Sequence, residues 1–360
     1  MGNDGRSGST LEQFVYPPGI RVEHVTFRAG GSEGTAECAA DLYISDEIED
    51  TGPQPGIVLA WSGITPKEAN AGVAWYLARA GYVCLAFDYR TSGASTGTPR
   101  GLLHFADNVQ DMRCALLYLR SRPEVDPEAI GLHGVSPSGA VAMRLAARDR
   151  RVKCVSALYP STLLGYGDLL PQAVIQADAD RRFETGVGAA MPYLNVDGWP
   201  EPGRGYARLG LDMYPGFDNR LLVESLEKFD DWYPARFAER VAPTPMQFVG
   251  ANGSDIYHDL QQMTQVLNSA GEPKRLVVLG YDGMGMYVEP GLGDAMRATI
   301  GWFDHHLRGL PLPPVPPPGD TAVTPLAPDA LAAGRVPGAR NWRPSWDPAA
   351  VHTSAGASRS

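Results

Sequence analysis

Residues 130–140 read Ile130-Gly131-Leu132-His133-Gly134-Val135-Ser136-Pro137-Ser138-Gly139-Ala140, and this stretch decides the fold. Its first half is an apolar run of strand length, and its second half opens a helical pattern that continues to Ala147. Between them stands Gly-x-Ser-x-small. A serine at a sharp strand-to-helix turn presents its hydroxyl above the carboxyl edge of a sheet, and the turn is too tight for bulk two positions to either side. Gly134 meets that demand, and Ser138 stands where a second glycine is usual. The pentapeptide alone is a weak signal, and a serine here can instead do no more than cap the helix. The strand–turn–helix setting is what favours a nucleophile at Ser136.

On both sides of the turn the chain alternates between two periods. Residues 21–28 and 36–44 alternate polar and apolar side chains, as half-buried antiparallel strands do. Residues 56–61, 82–87, 129–135 and 152–158 are continuous apolar runs, the sign of strands buried on both faces. Helical periodicity fills residues 66–80, 103–120 and 139–147, with Pro66 suited to a first turn and Gly81 to a C-terminal cap. This alternation specifies an α/β, doubly wound, mostly parallel sheet. It stops near residue 161. Residues 161–240 are rich in Gly, Pro and aromatics, among them Tyr166, Trp199, Tyr206, Phe229 and Trp232, and predict a lid or cap insertion. The sheet resumes at 245–249, a helix follows to about Ser269, and 274–279 and 296–307 give the last strand and helix. The expected division is a disordered arm over 1–17, a core over 18–160 and 241–309, the insertion between, and a Pro-rich tail over 310–360 that is either disordered or draped over the surface and pinned by Trp342 and Trp346.

The chain has 360 residues, 44% hydrophobic and 20% charged, enough for one large core plus an insertion. The net charge of −10 argues against nucleic acid and anionic membrane as partners. An apolar to moderately polar small molecule is the expected partner, and a homodimer stays open. No run of apolar residues is long enough to span a bilayer. The polar start lacks a signal-peptide pattern, and Arg6 stands where a myristoylation site wants Ser or Thr, so a cytoplasmic location is expected. Cys38, Cys84, Cys114 and Cys154 have no paired spacing and read as buried, reduced thiols. Neither metal-ligand spacing nor a cofactor motif is visible.

Three segments resemble the dienelactone-hydrolase-like bacterial branch of the α/β-hydrolases. They are Trp61-Ser62-Gly63-Ile64-Thr65-Pro66-Lys67-Glu68, Gly93-Ala94-Ser95-Thr96-Gly97-Thr98-Pro99-Arg100 and the turn at Ser136. The resemblance covers roughly residues 20–160 and 240–308 and implies the α/β-hydrolase fold. It also implies cleavage of esters, lactones or related acyl bonds by a Ser/Cys–His–Asp triad. In that family the acid follows the strand after the lid, which matches Asp255; an N-cap of the next helix is the competing reading. The histidine follows the last strand, and Met284 occupies its place; a thioether cannot accept a serine proton. The oxyanion hole would use the N–H after the nucleophile, which Pro137 lacks, together with the turn at Trp61, Ser62, Gly63 and Ile64.

Another histidine would have to serve, and His258, three residues past Asp255, is the best placed. His104 precedes a helix, His133 reads as a core residue, His305 and His306 close the last helix, and His24 and His352 are peripheral. Ser138 is a rival nucleophile, since Gly139 would restore the missing N–H. Tyr281 and Asp282 lie on the loop that should carry the histidine and suit acid–base work without a nucleophile. Three readings follow. The chain is a divergent hydrolase of an ester, lactone or thioester; or a cyclase, isomerase or lyase on the same fold; or a binding protein that has lost catalysis.

Overall fold

A computed structural model describes residues 14–31, 34–48, 52–161, 171–194, 213–214, 216–230, 232–253, 258–315 and 332–350. Two long strands open the chain, β1 (Ile20–Gly31) and β2 (Gly34–Ser45), paired antiparallel with Val25 opposite Ala40. They are followed by β3 (Gln54–Ala60), α1 (Ala71–Arg79), β4 (Val83–Phe87), α2 (Phe105–Arg120), β5 (Val125–Val135), α3 (Pro137–Ala146) and β6 (Cys154–Leu158). After the insertion come β9 (Met246–Ala251), α6 (Leu260–Ser269), β10 (Lys274–Leu279) and α7 (Gly291–Arg308). Eight strands form one sheet in the order β1-β2-β4-β3-β5-β6-β9-β10. From β4 to β10 all neighbours are parallel: Ile57 pairs with Cys84 and Gly131, Leu132 with Val155, and Val155 with Met246.

The apolar runs explain the layering. Every residue of β4 and β6 is buried, as are the last five of β3 and the last seven of β5, because helices cover both faces of the sheet. The strand order also places the site. From β3 the chain winds outward to β4, then crosses back to β5 and winds the other way through β6 to β10. Such a reversal opens a crevice above the carboxyl ends of the two central strands, and β5 ends there with Ser136 following it.

The last helix starts five residues before its apolar periodicity does. Gly291 and Gly293 hide its first turn from a pattern search, but the Glu289 carboxylate accepts the Gly293 N–H at 3.2 Å and the Tyr76 hydroxyl at 2.9 Å. Over α1 and α7 lies the C-terminal segment. Trp342 packs edge-on against Trp75 at 5.3 Å, and Trp346 donates its indole N–H to the Gly293 carbonyl at 2.9 Å.

The described parts of the insertion are α4 (Gln172–Thr185), a two-stranded ribbon of β7 (Ala190–Met191) and β8 (Leu221–Leu222), and α5 (Glu224–Asp230). Leu222 N–H reaches the Gly101 carbonyl at 2.9 Å, and Phe105 of α2 stacks on Trp232 at 4.9 Å. Tyr166, Trp199 and Tyr206 lie outside the described residues. Among the described residues no helix is long and apolar enough to cross a membrane.

His133 sits in mid-β5, fully buried, and desolvation holds its imidazole down at about 3. The folded protein keeps this ring neutral where the unfolded chain takes up a proton. Its contribution is therefore complete above the ordinary histidine range and is lost as pH falls from about 6.5 towards 3. His133→Leu is expected to lose roughly 3 kcal/mol less stability than the wild type between pH 7 and pH 4, at about 1.4 kcal/mol per pH unit. Urea unfolding at the two pH values checks this, and equal losses in both proteins would contradict it.

Candidate active site

β5 ends at Val135, and Ser136 then turns into the left-handed region with φ 56° and ψ −128°. Gly134 permits the turn: a Cβ there would lie 2.2 Å from the Ser138 carbonyl oxygen. Gly134→Ala is expected to cost about 3 kcal/mol, because the clash is with backbone that cannot move aside. Thermal unfolding measures that loss, and an unchanged melting temperature would contradict the geometry. Three backbone bonds then hold Ser136. Its N–H donates to Leu158 O at 3.0 Å, and its carbonyl accepts Gly139 N–H at 2.9 Å and Ser161 N–H at 3.2 Å. The Ser136 side chain makes no capping bond to α3.

Its hydroxyl instead meets an imidazole. Ser136 Oγ lies 2.7 Å from His258 Nε2 and 3.2 Å from Ser161 Oγ, and all three side chains are buried. His258 follows β9, on the loop before α6, and its ring stacks on Tyr159 with centroids 4.4 Å apart and planes at 19°. Tyr159, directly after β6, is itself fixed: its N–H donates to Val249 O at 2.7 Å and its hydroxyl donates to the Gly253 carbonyl. Neither Tyr159 nor Ser161 carries a motif; their only sequence signal is a position immediately past the strand that neighbours β5.

Asp255 lies outside the described residues. The N-cap of α6 is Asp259, whose carboxylate accepts Gln261 N–H at 2.7 Å and Gln262 N–H at 3.4 Å. Met284 opens a short 3-10 turn, Met284–Tyr287, and is buried. Asp282 accepts the Gly285 N–H at the start of that turn. Tyr281 donates to Asp294 at 2.7 Å, and burial together with that carboxylate pushes its phenol well above the usual range. The structure thus gives these two side chains partners on their own loop and on α7.

His352 lies outside the described residues, and the remaining described histidines have other neighbours. His104 pairs with Asp107 at 2.8 Å, His24 with Asp41 at 2.7 Å, His305 with the Leu310 carbonyl at 2.7 Å, and His306 packs on Trp302.

On the β3 side, Ser138 does not face the crevice as a nucleophile: its hydroxyl donates to the Trp61 carbonyl and pairs with Tyr89 Oη at 2.9 Å. That contact ties α3 to the turn after β3. There Thr65 N–H closes onto Ser62 O at 2.8 Å, Ile64 is buried, and Gly63 takes φ 51°. Ser62 Oγ meets Tyr193 Oη of the insertion at 2.5 Å, and Trp61 packs on Tyr287 at 5.3 Å. Pro137 occupies the first position of α3 and offers no N–H.

The other two family-like segments form a frame beside the site. Asp88 accepts Lys67 N–H at 2.6 Å and Ala94 N–H at 2.9 Å, and burial pushes its carboxyl up to about 7. Arg100 folds back onto the carbonyls of Gly93, at 2.6 Å, and Ser95. The Lys67 ammonium lies 2.5 Å from Glu68 and 3.4 Å from Asp41.

A family model described as X-Pro dipeptidyl-peptidase (S15 family) matches residues 31–178. The chain is 31% identical over 199 residues to the thiohydrolase apmlB of Arthrinium phaeospermum, covering 50% of this chain and 64% of that protein. The matched stretch therefore spans less than two thirds of that relative. The chain is 28% identical over 227 residues to the polyketide transferase claH of Penicillium crustosum, covering 57% and 72% of the two chains. Its fold superposes on the crystal structure of the alpha/beta hydrolase GrgF from Penicillium sp. sh18 with a TM-score of 0.66 and 22% identity, over 80% of this chain and 99% of that one.

Proposed function

We propose that the chain, which has the α/β-hydrolase fold, is an acyl-transfer enzyme in which Ser136 takes the acyl group of a thioester. The observation that carries this reading is the 2.7 Å contact between Ser136 Oγ and His258 Nε2. An imidazole at that distance removes the hydroxyl proton as the oxygen attacks, which a serine needs because it is a weak nucleophile in its neutral form. The new bond joins Oγ to the acyl carbon, and the carbonyl electron pair moves onto oxygen. Collapse of that intermediate breaks the carbon–sulfur bond, expels the thiolate and leaves the proton on His258. Water or an alcohol then attacks the acyl carbon as the imidazole removes its proton, and the imidazolium returns that proton to Ser136 Oγ as the bond between Oγ and the acyl carbon breaks. The proton first held by His258 leaves with the thiol.

Leaving-group chemistry favours a thioester among the candidate substrates. Amides and alkyl esters combine strong carbonyl resonance with a poor leaving group, and so lean most on oxyanion stabilisation, of which Pro137 removes the backbone share. A thioester has weak resonance, and thiolate departs without needing a proton. The names of the two relatives, a thiohydrolase and a polyketide transferase, support the same class. The alternative without a nucleophile, built on Tyr281 and Asp282, draws no such support, since the first is held by Asp294 and the second holds the Gly285 N–H.

Two measurements test the reading. A fluorophosphonate probe is expected to label Ser136 covalently; folded protein that resists it removes the nucleophile. A hexanoyl thioester of N-acetylcysteamine is expected to turn over about tenfold or more faster than ethyl hexanoate, given its weaker carbonyl resonance and better leaving group. Equal or faster turnover of the oxygen ester removes the thioester preference and leaves Ser136 in place.

A further inference from the structure

The crevice has a donor missing on one side and an unexplained hydroxyl on the other. We propose that the Ser161 hydroxyl supplies the hydrogen bond to the developing oxyanion that Pro137 cannot give. This rests on Ser136 being the nucleophile.

Ser161 Oγ lies 3.2 Å from Ser136 Oγ, and the side chain is 1% exposed. In the resting site Ser136 gives its proton to His258 Nε2, so the bond between the two serines is donated by Ser161. When Ser136 attacks, the lone pair that accepted this bond becomes part of the new carbon–oxygen bond. At the same moment a negative oxygen appears on the same carbon, closer to Ser136 Oγ than a hydrogen-bond length. The Ser161 proton stays on Ser161 and changes acceptor by rotation about its Cβ–Oγ bond. The bond it then makes is to an anion in a buried setting, so it is stronger in the transition state than in the ground state, the condition for raising the rate.

The donor is also preorganised. Ser161 N–H donates to Ser136 O at 3.2 Å and Ser136 N–H to Leu158 O at 3.0 Å, so the end of β6 and the turn after β5 are clamped at both ends of the donor's segment. On the other side, Thr65 N–H is spent on Ser62 O at 2.8 Å, and residue 137 has no N–H. A hydroxyl reached through the neighbouring strand replaces a backbone amide that the turn lacks.

The test compares wild type, Ser161→Ala, Pro137→Ala and the double variant by second-order fluorophosphonate labelling and by kcat/KM on hexanoyl-N-acetylcysteamine. Ser161→Ala is expected to slow both by on the order of 100-fold. Pro137→Ala restores the backbone N–H at a first-turn position that tolerates alanine. In the double variant it is expected to bring the rates back to within about tenfold of Pro137→Ala alone. A purely structural role for Ser161 would not be rescued in this way. If Ser161→Ala does not fold, Ser161→Cys, similar in size with a weak donor, reads the same loss. Ser161→Ala rates equal to wild type, or a loss that Pro137→Ala leaves untouched, overturn the proposal while Ser136 labelling stands. Wild-type protein that is not labelled overturns the nucleophile itself, and this inference with it.

Discussion

Replacing Ser136 by alanine is expected to abolish fluorophosphonate labelling and to lower thioester turnover by about a thousandfold or more, and His258→Ala is expected to come close to the same loss. The two side chains act on one proton, so their losses should not add. The double variant is expected to be no worse than either single one. This non-additivity separates the displaced-histidine site from its competitors. With the base elsewhere, His258→Ala would stay within about tenfold of wild type and Ser136→Ala would still be inactive. With chemistry done by shape and by Tyr281 and Asp282, Ser136→Ala would keep most of its turnover. The unfolding curve of Ser136→Ala should match the wild type within about 1 kcal/mol, whereas His258→Ala removes a buried, stacked ring and is expected to lose stability while remaining folded.

Trp342→Ala is expected to lower stability by about 3–5 kcal/mol, although the residue lies outside the sheet and its helices. Trp342 is 7% exposed and packs edge-on against Trp75 at 5.3 Å and Tyr76 at 6.3 Å, on the outer side of α1. α1 needs this cover, because all its residues from Ala71 to Ala78 are buried, more than a helix with one face on a sheet would show. The strap is tied at further points: Ser345 N–H donates to Tyr76 Oη at 3.0 Å, and Arg79 makes a two-pronged bond to Asp347 at 3.1 and 2.8 Å. Urea unfolding reads the effect. A loss under 1 kcal/mol would mean that the segment merely lies on the surface.

The sheet was legible because its signal is local. The apolar runs at 56–61, 82–87, 129–135 and 152–158 can be buried on both faces only in a helix-covered parallel sheet, and β3 to β6 form there. Ser136 was legible for the same reason, since strand, tight turn and helix adjoin in sequence. The imidazole beside Ser136 was harder to read. Nothing near His258 in sequence says that it reaches Ser136, 122 positions away. Its candidacy rested on the edge of the sheet on which its loop ends. Tyr159 and Ser161 have no such signal, because their positions beside Ser136 and His258 come from β6 pairing beside β5, a tertiary fact with no local pattern. Conversely, Tyr281 and Asp282 looked chemical because of the loop they occupy, while the contacts they make shape that loop. The proline-and-glycine loop ending at Arg100 carried family resemblance and proves to be a scaffold closed by its own arginine.

Ser136 and Tyr159, each directly after a central strand, hold φ at 56° and 46°, a region that side chains with a Cβ avoid. Such positions cost of order 1–3 kcal/mol each, and glycine would occupy them freely. At Tyr159 the ring outweighs that cost, because it is fully buried and its removal would cost about 3–5 kcal/mol. At Ser136 the side chain is small, so selection for heat resistance alone would find a gain in glycine there, and tolerance to heating pulls against the presence of that hydroxyl at a single Cα atom.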